Sequence, residues 1–140
     1  MTHWLLKSEP ESWSWDDQVR KGAAGEAWTG VRNHRAKSHL KAMKVGDTAF
    51  FYHTGEEKRV VGIVEVIRAS YPDPTDATAK FVVVDVKAVK PLPRPVTLAE
   101  VKADPRLADM ALARQPRLSV QPVTDDEWRI VCQMGELASR

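Results

Sequence analysis

The chain has 140 residues and a single cysteine, Cys132. One thiol cannot close an intrachain disulfide or anchor a cysteine metal cluster, so the core must be held by packing. Cys132 falls in a helical pattern, where a lone thiol behaves as a small buried hydrophobe. Long apolar runs are also missing. No stretch approaches the roughly 20 apolar residues of a membrane span. The run Trp4-Leu5-Leu6 meets Lys7 too soon to serve as a secretory signal. The expected location is therefore the cytoplasm. There is no Walker loop and no GxGxxG fingerprint. His3, His34, His39 and His53 show no metal-ligand spacing with Cys132 or a carboxylate. No metal and no cofactor is expected. Repeats, low-complexity tracts and linkers are absent too, so residues 1–140 read as one domain.

Acids are missing from one particular place. Net charge is only +2, and the hydrophobic (43%) and charged (29%) fractions are those of an ordinary globular protein. Yet the stretch from Val31 to Lys44 holds Arg32, Arg35, Lys37, Lys41 and Lys44, two histidines and no acid. Such a run is either a solvated helix face or the footprint of phosphate contact.

Local patterns suggest the elements. His3 to Ser8 reads as a strand stopped by Glu9-Pro10, and Ser14 caps a short helix from Trp15 to Lys21. Residues 23–33 look irregular. Asn33 caps a helix over His34 to Lys44, whose Ala36, Leu40 and Met43 form one apolar stripe. Strands follow at Asp47 to Thr54, Arg59 to Arg68 and Phe81 to Val89, the last ended by Pro91, Pro93 and Pro95. Gly62 inside its strand signals a bulge or a close approach. Thr97 and Glu100 form a capping box for a helix to about Ala103, and Pro105 to Arg114 holds a second short helix. A short strand over Arg117 to Val120 and a second capping box, Thr124 with Glu127, opening a final helix from Trp128 to about Met134 complete the chain. Short, non-repeating strands flanked by helices favour an α+β fold built on a small antiparallel barrel.

The segment Glu26-Ala-Trp-Thr-Gly-Val-Arg-Asn33 is the richest in chemistry. Trp28 offers an aromatic face, Gly30 a flexible backbone, and Arg32 and Asn33 donors suited to base edges or phosphate. Trp28 could equally be a core plug, and Asn33 has a sufficient task as helix cap. Lys7 and Glu9 are an acid/base pair or a surface ion pair. Tyr52 and His53 end a strand and point to opposite faces; a lone histidine there is a titratable group or a hydrogen-bonded structural one.

Trp4-Leu-Leu-Lys-Ser-Glu-Pro10, Trp28-Thr-Gly-Val-Arg-Asn33, Gly46-Asp47, Phe51-Tyr-His53, Val61-Gly62 and Arg117-Leu-Ser-Val-Gln-Pro-Val123 together resemble the EVE domain family of the PUA-like superfamily, in order and spacing over nearly the whole chain. The resemblance implies a twisted, partly closed antiparallel β-barrel of five or six strands with short helices around it. It also implies non-enzymatic binding of a modified base such as 5-methylcytosine, flipped from DNA or RNA into an aromatic pocket. Carried onto this chain, the pocket comprises Ser8, Glu9, Trp28, Gly30, Val31, Arg32, Asn33, Tyr52, His53, Leu118 and Ser119. Arg35, Lys37, Lys41 and Arg117 are then the phosphate contacts. The expected partner is a nucleic acid carrying a modified base, with no membrane or metal, bound by a monomer. Two other classes stay open: a nucleoside hydrolase using Lys7 and Glu9 near Thr29, and a module for a free metabolite.

Overall fold

The structure, a computed structural model, describes residues 2–137. Alternation along the central strands sends side chains to two separate cores. On β1 (His3–Ser8), Trp4 and Leu6 enter one core and Leu5 the other. On β3 (Thr48–His53), Ala49 and Phe51 go one way and Phe50 and Tyr52 the other. A sheet this apolar on both faces must be covered twice. Helices α1 (Trp15–Arg20) and α2 (His34–Ala42), with residues 28–31, close the first face. Helices α3 (Leu98–Ala103), α4 (Ala111–Arg114) and α5 (Asp125–Met134) close the second. Ser14, Asn33, Thr97 and Thr124 cap their helices as the sequence suggests.

The six strands form one sheet in the order β2-β5-β4-β3-β1-β6. Two expectations need correction. The sheet is mixed, because β1 and β3 run parallel. It is also not closed: its edges are β2 (Glu26–Ala27) and β6 (Val120–Val123), which do not pair with each other. Curvature comes from β4 (Arg59–Pro72) and β5 (Val82–Thr97), whose register slips at four places. One slip explains why the prolines fail to stop β5. Gly62 pairs with Pro91 and Val60 with Val96, so Leu92–Pro95 bulges out of the ladder. Pro122 is tolerated because β6 is an edge strand. The two-residue β2 lies in a segment expected to be irregular.

Asp47 ties the first face together. Its buried carboxylate accepts from the Trp4 indole N–H at 3.1 Å and the Lys44 N–H at 3.0 Å. Gly62 is both bulge and close approach: a Cβ there would lie 2.5 Å from the Trp15 ring. Cys132 lies in α5, where burial pushes its thiol up to about 11 and away from thiolate chemistry. Among the described residues, no helix is long and apolar enough to cross a membrane.

Gly62→Ala is expected to cost about 1–3 kcal/mol, because the new methyl group must displace Trp15 in a packed core. A lowered denaturant midpoint with a changed near-ultraviolet tryptophan signal checks this.

Candidate functional site

β1 ends at Ser8, and the chain turns through Glu9 back to α1. The Glu9 carbonyl accepts from the N–H groups of Ser12 and Trp13, both at 2.9 Å. The Ser8 hydroxyl donates to the Trp13 carbonyl. The turn therefore holds Trp13 beside the end of the strand, and the Trp13 indole N–H donates to Gln18 Oε1 at 2.9 Å. A second segment leaves β2, where the Trp28 N–H donates to the Val84 carbonyl at 2.8 Å. Between the two lies a cavity of about 460 Å³. Lys7, Ser8, Glu9, Ser12 and Trp13 from the first segment and Glu26, Ala27, Trp28, Thr29 and Gly30 from the second line it.

Trp28 has both roles that the sequence left open. Only 7% of it is exposed, and its ring meets Phe51 edge-on at 5.4 Å, so it belongs to the core. It also lines the cavity. Trp13 is half-buried and is the second aromatic ring there. Sequence reading missed Trp13, Ser12 and Glu26, since a tryptophan next to a helix start carries no local mark of a pocket.

A buried carboxylate shapes the rest of the motif. Asp73, 2% exposed, accepts from the Gly30 N–H at 3.1 Å, the Arg32 guanidinium at 2.9 Å, and the Thr75 N–H and hydroxyl at 2.7 and 2.6 Å. Burial alone would raise this carboxyl, but the bonds from Thr75, Arg32 and Gly30 outweigh it and hold the group below its ordinary range. Gly30 has φ +82°, a conformation that costs other residues strain. Arg32 is thus committed to Asp73, although 40% of its side chain is exposed. Val31 turns inward to the first core.

The remaining expected residues scatter around this centre. The Asn33 side chain caps α2 by accepting from the Ala36 N–H at 3.0 Å. With Arg35, Arg117 and Leu118 it borders a separate hollow of about 280 Å³. Ser119 is half-buried, and its carbonyl accepts from the Lys7 N–H at 2.9 Å. Gln121 fixes the loop before it, donating to the carbonyls of Gln115 and Leu118 at 3.0 and 2.9 Å. His53 is fully engaged. Its Nε2 accepts from the Trp15 N–H at 3.0 Å, which leaves Nδ1–H to donate to Glu57 at 2.9 Å. That bond holds the Glu57 carboxyl below its usual range. Tyr52 faces the second core, away from His53. The structure therefore brings Ser8, Glu9, Trp28 and Gly30 to one cavity, and does not bring Val31, Arg32, Asn33, Tyr52, His53, Leu118 or Ser119 to its lining.

Charge is sorted in space. The central cavity carries two carboxylates, Glu9 and Glu26, the latter paired with Lys21 at 3.2 Å, and one ammonium, Lys7. Among the described residues, Arg35, Lys37, Lys41 and Arg117 have no acid within ion-pair distance, whereas Arg20, Arg32, Arg59 and Arg94 do. Among the same residues, no group of three His, Cys, Asp or Glu could hold a metal ion.

The EVE domain family model matches residues 2–134. Human thymocyte nuclear protein 1 is 33% identical, over 96% of this chain and 74% of its own. The NMR structure of Rpa0253 from Rhodopseudomonas palustris superimposes with a TM-score of 0.94 at 66% identity, covering 100% and 97% of the two chains. The crystal structure of human THYN1 in complex with DNA containing 5-methylcytosine gives 0.89 at 32% identity, covering 99% and 100%.

Asp73→Asn is expected to lower stability by about 1–3 kcal/mol and to speed amide exchange at Gly30. Because its folded pKa lies below the ordinary 3.8, Asp73 contributes stability above that value, lost as pH falls through the depressed one. Comparing the stability–pH curves of Asp73→Asn and the parent below pH 5 isolates this contribution.

Proposed function

This chain belongs to the EVE domain family, and on that premise we propose that it binds a modified base of the 5-methylcytosine class, turned out of a DNA strand into the cavity between Trp13 and Trp28, without transforming it. The observation that carries this reading is a cavity lined by two tryptophans and two carboxylates, in a chain whose Arg35, Lys37, Lys41 and Arg117 have no acid within ion-pair distance among the described residues. The likeness to human THYN1, solved with 5-methylcytosine DNA, supports the ligand class.

The energetics are consistent. Extruding a base costs a few kcal/mol, and aromatic stacking returns about 1–3 kcal/mol. Glu9 and Glu26 suit the exocyclic amine of a cytosine, which a carboxylate accepts from. Those acids would repel a phosphate, so the backbone belongs outside, along Arg35, Lys37, Lys41 and Arg117. Ser8, Gly30 and Thr29 offer further polar contacts to a base edge. In this reading Asn33, Arg32, Leu118 and Ser119 support or border the path of the strand, while Val31, Tyr52 and His53 hold the walls from behind.

A hydrolase is the second reading, because Lys7, Glu9 and Thr29 line the same cavity. Burial lowers the Lys7 pKa, which favours a base. Against this, its ammonium donates to the Pro116 carbonyl at 2.8 Å, a bond that stabilises the charged form. Release of acid from acylated nucleosides, lost in Lys7→Ala and Glu9→Gln, would establish the hydrolase and displace the reader.

Trp13→Ala is expected to weaken binding of a 5-methylcytosine oligonucleotide about 5- to 100-fold with the fold intact, matching the loss of one stacking partner. Fluorescence anisotropy reads the loss, and unchanged affinity refutes the proposed pocket. Trp28→Ala is less clean because Trp28 also supports Phe51. An RNA strand of the same sequence and the free nucleoside serve as comparators. A free nucleoside that binds as tightly as the oligonucleotide identifies a metabolite module instead.

Neutralising Arg35, Lys37, Lys41 or Arg117 to Gln should weaken modified and unmodified strands alike. Each change should flatten the slope of log affinity against log salt by about 0.7–0.9. Affinities measured across a salt series test this.

A further inference from the structure

On the opposite face of the sheet a second hollow of about 290 Å³ carries three lysines, Lys7, Lys58 and Lys102, and no acid. Tyr52, Leu98 and Leu112 supply its phenolic and apolar walls. The acids nearest in sequence are turned to other partners. Glu57 pairs with His53 and Arg59. Glu100 caps α3 through Thr97 and pairs with Arg94. Asp104 pairs with Arg106 at 2.8 Å. Among the described residues, none of the three lysines has a carboxylate within ion-pair distance, Glu56 on the adjoining exposed loop included.

Lys7 is the most constrained of the three. It is half-buried, lies 5.8 Å from the centre of the Tyr52 ring, and uses one of its three N–H donors on the Pro116 carbonyl. It also lines the central cavity, so it stands between the two. Three uncompensated cations around one concavity repel each other unless an anion joins them. The lining without carboxylates selects against cations, and its volume admits a compact anion rather than a flat base pair.

We infer that this hollow binds a phosphate group, with Lys58 and Lys102 at its rim and Lys7 at its back. Two sources share that chemistry: a phosphodiester of the strand whose base enters the central cavity, and a free phosphorylated small molecule. The shared lysine favours the strand, because it places a phosphate site next to the base site. That choice of source rests on the proposed base binding; the phosphate site itself does not.

The test uses the intact chain and two probes, pyrophosphate and a single-stranded 5-methylcytosine oligonucleotide. Amide shifts at Thr54 and Gly55 report this hollow, and those at Ser12 and Thr29 report the central cavity. Both probes should move Thr54 and Gly55, and the double variant Lys58→Gln, Lys102→Gln should abolish those shifts. For the oligonucleotide the double variant should also flatten the salt slope by about 0.7 for each lysine, while preference for the modified base is kept. Pyrophosphate shifts without oligonucleotide shifts uphold the phosphate site and assign it to a free ligand. If neither probe moves Thr54 and Gly55, or if the double variant leaves the shifts unchanged, the inference is overturned. Oligonucleotide shifts confined to Ser12 and Thr29 would leave base binding standing alone. Both lysines are exposed and outside the cores, so the variant should keep its melting temperature, which is measured alongside.

Discussion

Three rings meet the side of Phe51: Trp15 and Trp28 at 5.4 Å and His53 at 5.6 Å, all close to edge-on. Phe51 is fully buried on a central strand, flanked by β1 and β4. Trp15 begins α1, and its N–H donates to His53 two residues beyond Phe51. Trp28 brings in the irregular segment after β2. One side chain therefore sets the position of a helix, a loop and a histidine at once. The cavity wall inherits its placement from that cluster, because Trp28 cannot tilt without disturbing Phe51. A stacking surface held this way loses little freedom when a ligand arrives, which lowers the ordering cost of binding.

A second level of order is electrostatic. Asp73 uses its charge to fix the backbone of Gly30 and the guanidinium of Arg32, so an arginine in the centre of the motif is spent on structure. Among the described residues, the cations left without acids include those on α2, Arg117 on its loop, and the three lysines around the hollow behind β1. This arrangement separates tasks that a uniform basic patch would mix. The Glu9 and Glu26 acceptors line the central cavity with Lys7 at its edge, and Arg35, Lys37, Lys41 and Arg117 lie outside its lining; in the proposed reading the base amine meets the former and the phosphates the latter. The small net charge of +2 conceals that sorting, because most arginines are neutralised locally.

Local grammar in the chain made much of the fold legible. The caps at Ser14, Asn33, Thr97 and Thr124, the apolar stripe of α2 and the aromatic strand around Phe51 are short-range signals, and the helices and strands stand where those signals point. What escaped depends on partners distant in sequence. The parallel pairing of β1 with β3 is a tertiary choice that neither strand encodes alone. The prolines of β5 read as a stop, yet a register slip opposite Gly62 carries the strand past them. Asp73 lies outside the segments that the sequence marks, and its importance appears only when Gly30 and Arg32 arrive 43 and 41 positions away. At the site, Ser8, Glu9, Trp28 and Gly30 share the central cavity, whereas alternation on β3 parts Tyr52 from His53 by the thickness of the sheet.

The state of the polar groups bears on the choice between recognition and turnover. The Ser8 hydroxyl is bonded to the Trp13 carbonyl, the Lys7 ammonium to the Pro116 carbonyl, and both nitrogens of His53 are engaged. A nucleophile or base has to exchange its bonds during a reaction, so a group already satisfied by the framework must first be released. A recognition surface has the reverse requirement: its polar groups should stay where they are while the ligand conforms to them. The bonds around this cavity build a rigid frame that holds its two indole rings and presents the Glu9 and Glu26 carboxylates as acceptors. That division of labour fits a pocket that discriminates by shape and by one edge of a base. In the proposed reading, the methyl-sized difference of a modified pyrimidine would meet Trp28, which the Phe51 cluster keeps from yielding.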